Sequence, residues 1–484
     1  MRIDTDVNLL LYRRTKIVAT LGPSSSDAAT IERLIKAGAN VFRLNMSHGT
    51  HDGHRQAYVR IREIAAKLGK PIAVLADLCG PKIRVGAFEG GCIELRRGER
   101  VTVTTRAVNG GPGLIPSRYR ALTGDVSVGN RILLDDGNIE LKVREVEGDD
   151  IACEVIAGGQ LSDHKGMNLP GANVSAPSLT AADRVDAAFA LELGVDFLAL
   201  SFVRQAADIQ ALRDLIDAAE AQVAVVAKIE KPEALENITE ILEISDAIMV
   251  ARGDLGVELP PQVVPVAQDQ LIDRARQYRK PVIVATQMLE SMITNPRPTR
   301  AEVSDVATAV RHGADAVMLS AETAAGRYPV EAVKMMDDII RQTEGYLWRQ
   351  GFFGTMRRRT KGKRPYAIED ALSESMAKLS RDLMARAIMV ISQQGRSQAV
   401  MSASRPAAPI LGVCPDYRAS CIAAMLWGVI AINVDAAALA DPKHLARETA
   451  VSLGLAEAGD TILVVEGFST NPEENTPSVT VVTV

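Results

Sequence analysis

Short apolar runs recur along the first two-thirds of the chain, most of them separated by helix-like stretches. They are KIVATLG from Lys16, NVFRLNMS from Asn40, IAVLADL from Ile72, FLALSFV from Phe197, AVVAKIE from Ala224, AIMVARG from Ala247, PVIVATQ from Pro281 and AVMLSAE from Ala316. Ile31, Leu34, Ile35 and Gly38 have helical spacing before the second run, as do Ile209, Leu212, Leu215 and Ile216 before the fifth. Apolar strands alternating with helices predict a parallel sheet, and eight of them predict an α/β chain built on a (β/α)₈ barrel over residues 14–80 and 178–350. Residues 1–13 read as a short helix ahead of it.

The interval from Pro81 to Pro177 has another texture. Segments such as CIELRRGERVTVTT and GNRILLDDGNIELKVREVEGDD alternate β-branched and polar residues between glycine-rich turns, which predicts a small all-β domain. Inserted after a barrel strand, it would hang over the face where that strand ends, as a lid that excludes water. After a basic run, MRRRTKGKRP, read as a solvated linker, residues 351–484 continue as a third, α/β unit. A helix through Ile368, Leu372, Met376, Leu379 and Leu383 leads into AIMVIS, PILGVC, VIAINVD, DTILVVEG and SVTVVTV.

Polar residues gather at the C-terminal ends of the barrel runs. They are Arg43, Asn45 and Ser47 on the second, Asp77 on the third, Lys228 and Glu230 on the fifth, Asp254 after the sixth, Thr286 on the seventh, and Ser320 and Glu322 on the eighth. Active sites of such barrels lie on that face. Period two puts Lys228 and Glu230 on one side of their strand, where a plain ion pair is the alternative to a functional site. With Asp254, however, the two carboxylates offer oxygen to a hard divalent cation, and the lysine could meet a phosphate on the same cation. Ser392, Arg396 and Ser397, in SQQGRS, lie where a strand turns into a helix, and could be either an ordinary turn or a phosphate cradle.

Bulk properties narrow the class. With 484 residues, several domains are expected. A net charge of −5 argues against nucleic acid as the main partner. No apolar run is long enough for a membrane span, and the N-terminus does not read as a signal peptide. The five cysteines are scattered without CxxC spacing, so reduced thiols and a cytoplasmic location are expected.

TKIVATLGPSS, RLNMSHGTH, LADLCGPKIR, KIEKPEAL, VARGDLG, ATQMLESMITNPRPTRAEVSDVA and LSAETAAGRYP resemble, in order and spacing, the signature segments of the pyruvate kinase family. The resemblance implies phosphoryl transfer from phosphoenolpyruvate to ADP, giving pyruvate and ATP, in an allosteric homotetramer. It assigns Glu230 and Asp254 to Mg²⁺ or Mn²⁺, Lys228 and Arg43 to the transferring phosphoryl group, and the backbone amides of Gly253 and Asp254 with Thr286 to the substrate carboxylate. It places Arg84, Asp136 and Lys165 at the nucleotide. Thr286, or water reaching Ser320 and Glu322, would protonate the enolate.

Two departures from the family pattern stand out. The K⁺ position implied by Asn45, Ser47, Asp77 and the backbone of Leu78 goes, in K⁺-requiring forms, with a threonine and a glutamate where this chain has Leu78 and Lys82. About 4 Å from a phosphate oxygen, at an effective dielectric near 20, a lysine charge contributes roughly 4 kcal/mol, so Lys82 is expected to replace K⁺. The last loop, EGFSTNPEENTPS, carries Glu466, Glu473 and Glu474, and Gln394 stands where a hydroxyl is usual. Acids there would repel a bisphosphate. The expected effector is therefore a sugar monophosphate or AMP at Ser392, Arg396 and Ser397, not fructose-1,6-bisphosphate. The rival readings are a Mg²⁺-dependent barrel lyase or aldolase acting on an enolpyruvate or oxoacid, which would not need Arg84 or the lid, and a non-catalytic regulator, which should have lost Lys228, Glu230, Asp254 or Thr286.

Overall fold

A computed structural model describes residues 10–172, 174–353, 366–393, 395–468, 473 and 475–484. The eight apolar runs form one closed barrel of parallel strands: Lys16–Thr20, Val41–Asn45, Ala73–Asp77, Phe197–Leu200, Ala224–Ile229, Ala247–Ala251, Val282–Ala285 and Ala316–Leu319. The first and last pair directly, Lys16 opposite Ala316. The barrel interior is filled by Val18, Leu75, Phe197, Val226, Met249, Ile283 and Met318 among smaller alanines, and Cys421 and Met425 of the C-terminal unit pack into the same cluster. The C-terminal unit thus closes the face opposite the one where the strands end.

Helix boundaries follow the capping chemistry of the sequence. Thr180 and Thr299 each begin a helix with a reciprocal capping box, to Asp183 and Glu302. Asp183 has a second role: its Oδ1 accepts the Gly80 backbone N–H at 3.0 Å, joining the chain that leads into the inserted domain to the helix that follows it. Gly80 has φ +70°, and a Cβ there would stand 2.7 Å from a ring carbon of Phe202, so both its conformation and its surroundings call for glycine.

The inserted domain is a six-stranded sheet plus a two-stranded ribbon, with its own core around Val103, Ile132, Leu141, Ile151 and Val155. One short helix, Leu122–Asp125, interrupts the strands. The C-terminal unit is a five-stranded sheet in which only the last strand, Ser478–Thr483, runs antiparallel.

The expected N-terminal helix is not seen in its described part. Residues 1–9 and the MRRRTKGKRP run lie outside the described residues, and residues 10–15 follow a bent, non-helical path. Long-range pairing accounts for that path: Tyr12 Oη donates to Leu453 O at 3.1 Å, Arg13 Nη1 meets Asp337 at 3.0 Å, and the backbone amides of Arg14 and Thr15 donate to Glu344 at 2.6 and 2.7 Å. Helical hydrogen bonds would compete with these contacts.

Candidate active site

The C-terminal ends of neighbouring barrel strands bring together Arg43, Asp77, Ser201, Lys228 and Glu230. Asp77 stands between two cations: Oδ2 meets Arg43 Nε at 2.6 Å, and Oδ1 lies 3.2 Å from Lys228 Nζ. Lys228 also meets Glu230 Oε1 at 2.9 Å and donates to Ser201 Oγ at 2.6 Å, which in turn donates to the Leu78 carbonyl at 2.7 Å. Arg43 Nη1 donates to Thr20 Oγ1 at 3.2 Å.

Burial and charge compete at Lys228, Asp77 and Glu230. For Lys228 burial favours the neutral amine, but the Asp77 and Glu230 carboxylates outweigh it and hold the pKa above its ordinary value. For Asp77 burial acts upward, yet Lys228 and Arg43 hold the carboxyl below the ordinary range. Glu230 goes the other way: burial pushes it up, Lys228 opposes, and the charge of Asp254 pushes it up further. Its Oε2 also accepts the Phe202 N–H at 2.8 Å. Asp254, in the first turn of the helix Arg252–Glu258, lines the cleft between barrel and inserted domain. Two carboxylates near enough to repel are a donor set that a hard cation relieves, so these residues fit a divalent metal.

The seventh strand ends in strained backbone, with Thr286 at φ +71° and Gln287 at +56°. The Thr286 hydroxyl accepts the Gly253 N–H at 2.7 Å and donates to the Ala285 carbonyl at 2.6 Å. The two groups expected to hold a carboxylate are thus bonded to each other. Arg252 fixes this corner, meeting Asp305 at 2.7 Å and the Thr286 carbonyl at 2.7 Å. Glu322, 2% exposed and pushed up by burial, accepts the Leu289 and Ser320 amides at 3.1 and 2.6 Å. Both of its oxygens are therefore engaged by backbone.

Asn45 and Asp77 are opposite one another in the ladder, and Asn45 Oδ1 accepts the Ser47 N–H at 3.2 Å. Asp77 and the Leu78 carbonyl are occupied by Lys228, Arg43 and Ser201. Lys82 is exposed and lines the cleft with Asp136 and Asp254. Arg84 donates to the His164 carbonyl at 3.1 Å. Lys165 pairs at 2.7 Å with Asp135, the neighbour of the expected Asp136.

The distant Ser392 and Ser397 are buried, while Arg396 is exposed at the start of the helix Arg396–Ala403. Gln394 and Glu474 lie outside the described residues. Ser201 and Arg252 are the site residues that sequence reasoning did not single out, although each lies in or just after one of the apolar runs.

Comparison with known proteins agrees with this architecture. A pyruvate kinase barrel-domain model matches residues 12–333, and a pyruvate kinase alpha/beta-domain model matches residues 370–482. The chain belongs to the pyruvate kinase family. It is 44% identical over 461 residues to the pyruvate kinase of Geobacillus stearothermophilus, a match covering 94% of this chain and 78% of that one. The pyruvate kinase of Staphylococcus aureus strain USA300 is 42% identical over 461 residues, covering 95% and 78%. The chain is accordingly an enzyme of a phosphotransferase family. Among the described residues, no helix is long and apolar enough to cross a membrane.

Proposed function

We propose that this chain moves the phosphoryl group of phosphoenolpyruvate to ADP, releasing pyruvate and ATP, with Mg²⁺ or Mn²⁺ and without a need for K⁺. The observation that carries this reading is the Arg43–Asp77–Lys228–Glu230 network, built around the buried Asp77, Lys228 and Glu230, beside Asp254. It holds two fixed cations where phosphoryl oxygens would lie, next to two carboxylates suited to a divalent metal.

Glu230 and Asp254 would hold the metal, and the bound ion supplies charge that neutralises phosphoryl and enolate oxygens. Lys228, kept protonated by Asp77 and Glu230, stabilises negative charge on the transferring group and on the enolate that it leaves. Arg43 offers its planar fork to the same oxygens. The Gly253 and Asp254 amides and the Thr286 hydroxyl orient the carboxylate, which requires the 2.7 Å Gly253–Thr286 bond to open as substrate enters. Thr286, with water near Ser320, delivers the proton to the enolate carbon, and Glu322 positions that corner through Leu289 and Ser320. Arg84, Asp136 and Lys165 face the nucleotide under the inserted domain, which acts as a lid. Lys82 supplies the positive charge of a monovalent cation, and Asn45, Ser47, Asp77 and Leu78 remain as the vestige of that site.

A homotetramer in the cytoplasm, regulated by a phosphorylated small molecule at Ser392, Arg396 and Ser397, belongs to the same proposal on the strength of the family resemblance. The deciding assay is pyruvate formation from phosphoenolpyruvate, ADP and Mg²⁺ in tetraalkylammonium buffer, with and without K⁺. Equal turnover in both is expected. Turnover only with K⁺ keeps the kinase and removes the role given to Lys82, and no turnover under either condition overturns the assignment.

A further inference from the structure

The inserted domain touches the barrel through a polar contact outside the reacting groups. Asn168, in its last strand Met167–Asn168, donates Nδ2 to Glu258 Oε1 at 3.0 Å. The same oxygen receives Lys231 Nζ at 2.6 Å. The Glu258 side chain is 2% exposed and that of Lys231 12%, so the contact is a closed, charge-compensated one and not a rim encounter. Glu258 ends the short helix Arg252–Glu258 that presents Gly253 and Asp254, and Lys231 directly follows Glu230. Near it, a Cβ on Gly137, next to Asp136, would lie 3.7 Å from Val257 Cγ1, so this turn of the inserted domain rests on the same helix.

We propose that Glu258 is the latch of the lid. Its carboxylate holds the inserted domain closed through Asn168 and links that closure to the helix bearing Asp254 and to the strand end bearing Glu230. Glu258 is a positioning residue: it reaches the reacting groups only through its neighbours on the helix and through Lys231. Because Lys231 stays paired with Glu258 when Asn168 leaves, opening at this contact breaks one amide–carboxylate bond and strands no buried charge. Nucleotide under the lid and phosphoenolpyruvate at Asp254 then strengthen each other's binding, as reciprocal linkage requires. The inference rests on the kinase and lid readings given under Proposed function.

The test uses the full chain carrying Asn168→Asp, a substitution of nearly equal shape that sets a second carboxylate against Glu258. In the ligand-free protein, amide hydrogen exchange in residues 80–86 and 165–178 should rise severalfold. With substrates, KM for ADP should rise about tenfold, and the tightening of phosphoenolpyruvate binding by ADP should fall toward none. Adding Glu258→Gln to that variant restores an amide–carboxylate pair with the roles exchanged, and should recover most of both effects. A merely structural role for Asn168 would not be rescued in this way. Unchanged exchange and unchanged ADP–phosphoenolpyruvate coupling in Asn168→Asp, or failure of rescue, overturns the latch. If the unmodified protein makes no pyruvate, the kinase reading fails instead, and the exchange measurement still decides whether Asn168 and Glu258 hold the lid.

Discussion

Asp77 reaches Lys228 across the fourth strand of the barrel, Oδ1 to Nζ at 3.2 Å, while its other oxygen meets Arg43. One carboxylate thus orients both cations expected at the phosphoryl group. Replacing it by the isosteric amide leaves the buried Lys228 and the half-buried Arg43 with less compensation, and breaking a buried pair in this way costs about 3–5 kcal/mol. Asp77→Asn is therefore expected to lower the melting temperature and to reduce kcat by about 100-fold. Circular dichroism melting and steady-state rates check this, and near-normal values of both would refute the role given to Asp77.

Ser201 supplies the shortest contact of Lys228, at 2.6 Å. A hydrogen bond to a charged group contributes roughly 1.5–3 kcal/mol. Ser201→Ala should accordingly cost about tenfold or more in kcat/KM for phosphoenolpyruvate, with the fold intact by circular dichroism. No kinetic change would mean that Asp77 and Glu230 alone hold the ammonium.

Arg252 joins Asp305 to the carbonyl of the strained Thr286, both at 2.7 Å. A lysine cannot reproduce that fork. Arg252→Lys should raise KM for phosphoenolpyruvate about tenfold while leaving KM for ADP within about twofold, because the nucleotide side of the cleft is untouched. Equal changes in the two constants would place the defect elsewhere.

The barrel was legible because apolar strands and capped helices alternate with regular punctuation, and those signals are local. Period two likewise brought out Lys228 and Glu230. Ser201 was hidden because its role depends on a side chain from the next strand, and Arg252 because its fork turns back into the barrel wall instead of toward the cleft. Asp77 could be placed at the site but not in its role, since the cations on either side of it come from two other strands. Residues 10–13, the described part of the expected N-terminal helix, are non-helical for a similar reason: partners from distant parts of the chain, Asp337, Glu344 and Leu453, outweigh their local preference.

Lys82 carries a sharper prediction. It is exposed at the cleft shared with Asp136 and Asp254, so Lys82→Glu should leave the fold unchanged while reversing the sign of the local charge. The variant should be nearly inactive in tetraalkylammonium buffer and regain turnover as K⁺ is added. A variant indifferent to K⁺ would remove Lys82 from the account of monovalent-cation independence.

Lys16, at the opposite end of the barrel, gives the fold its own pH signature. Its Nζ donates to the Val429 carbonyl of the C-terminal unit at 2.5 Å. Burial, reinforced by the charges of Arg13 and Arg14 and opposed by Glu344, lowers its pKa from 10.5 to about 7. The unfolded chain therefore binds a proton at this lysine between about pH 7 and 10.5 that the folded chain has released. Where the unfolded state holds more protons, stability rises with pH, so this group destabilises the fold below about pH 7 and progressively less above it. Lys16→Met cannot take up that proton. Its stability advantage over the unmodified chain should be largest near pH 6 and should shrink steadily toward pH 10, by about 1.4 kcal/mol per pH unit at most. Urea denaturation of both proteins across this range tests it. A constant difference between them would mean that Lys16 keeps an ordinary pKa at the junction of the barrel and the C-terminal unit.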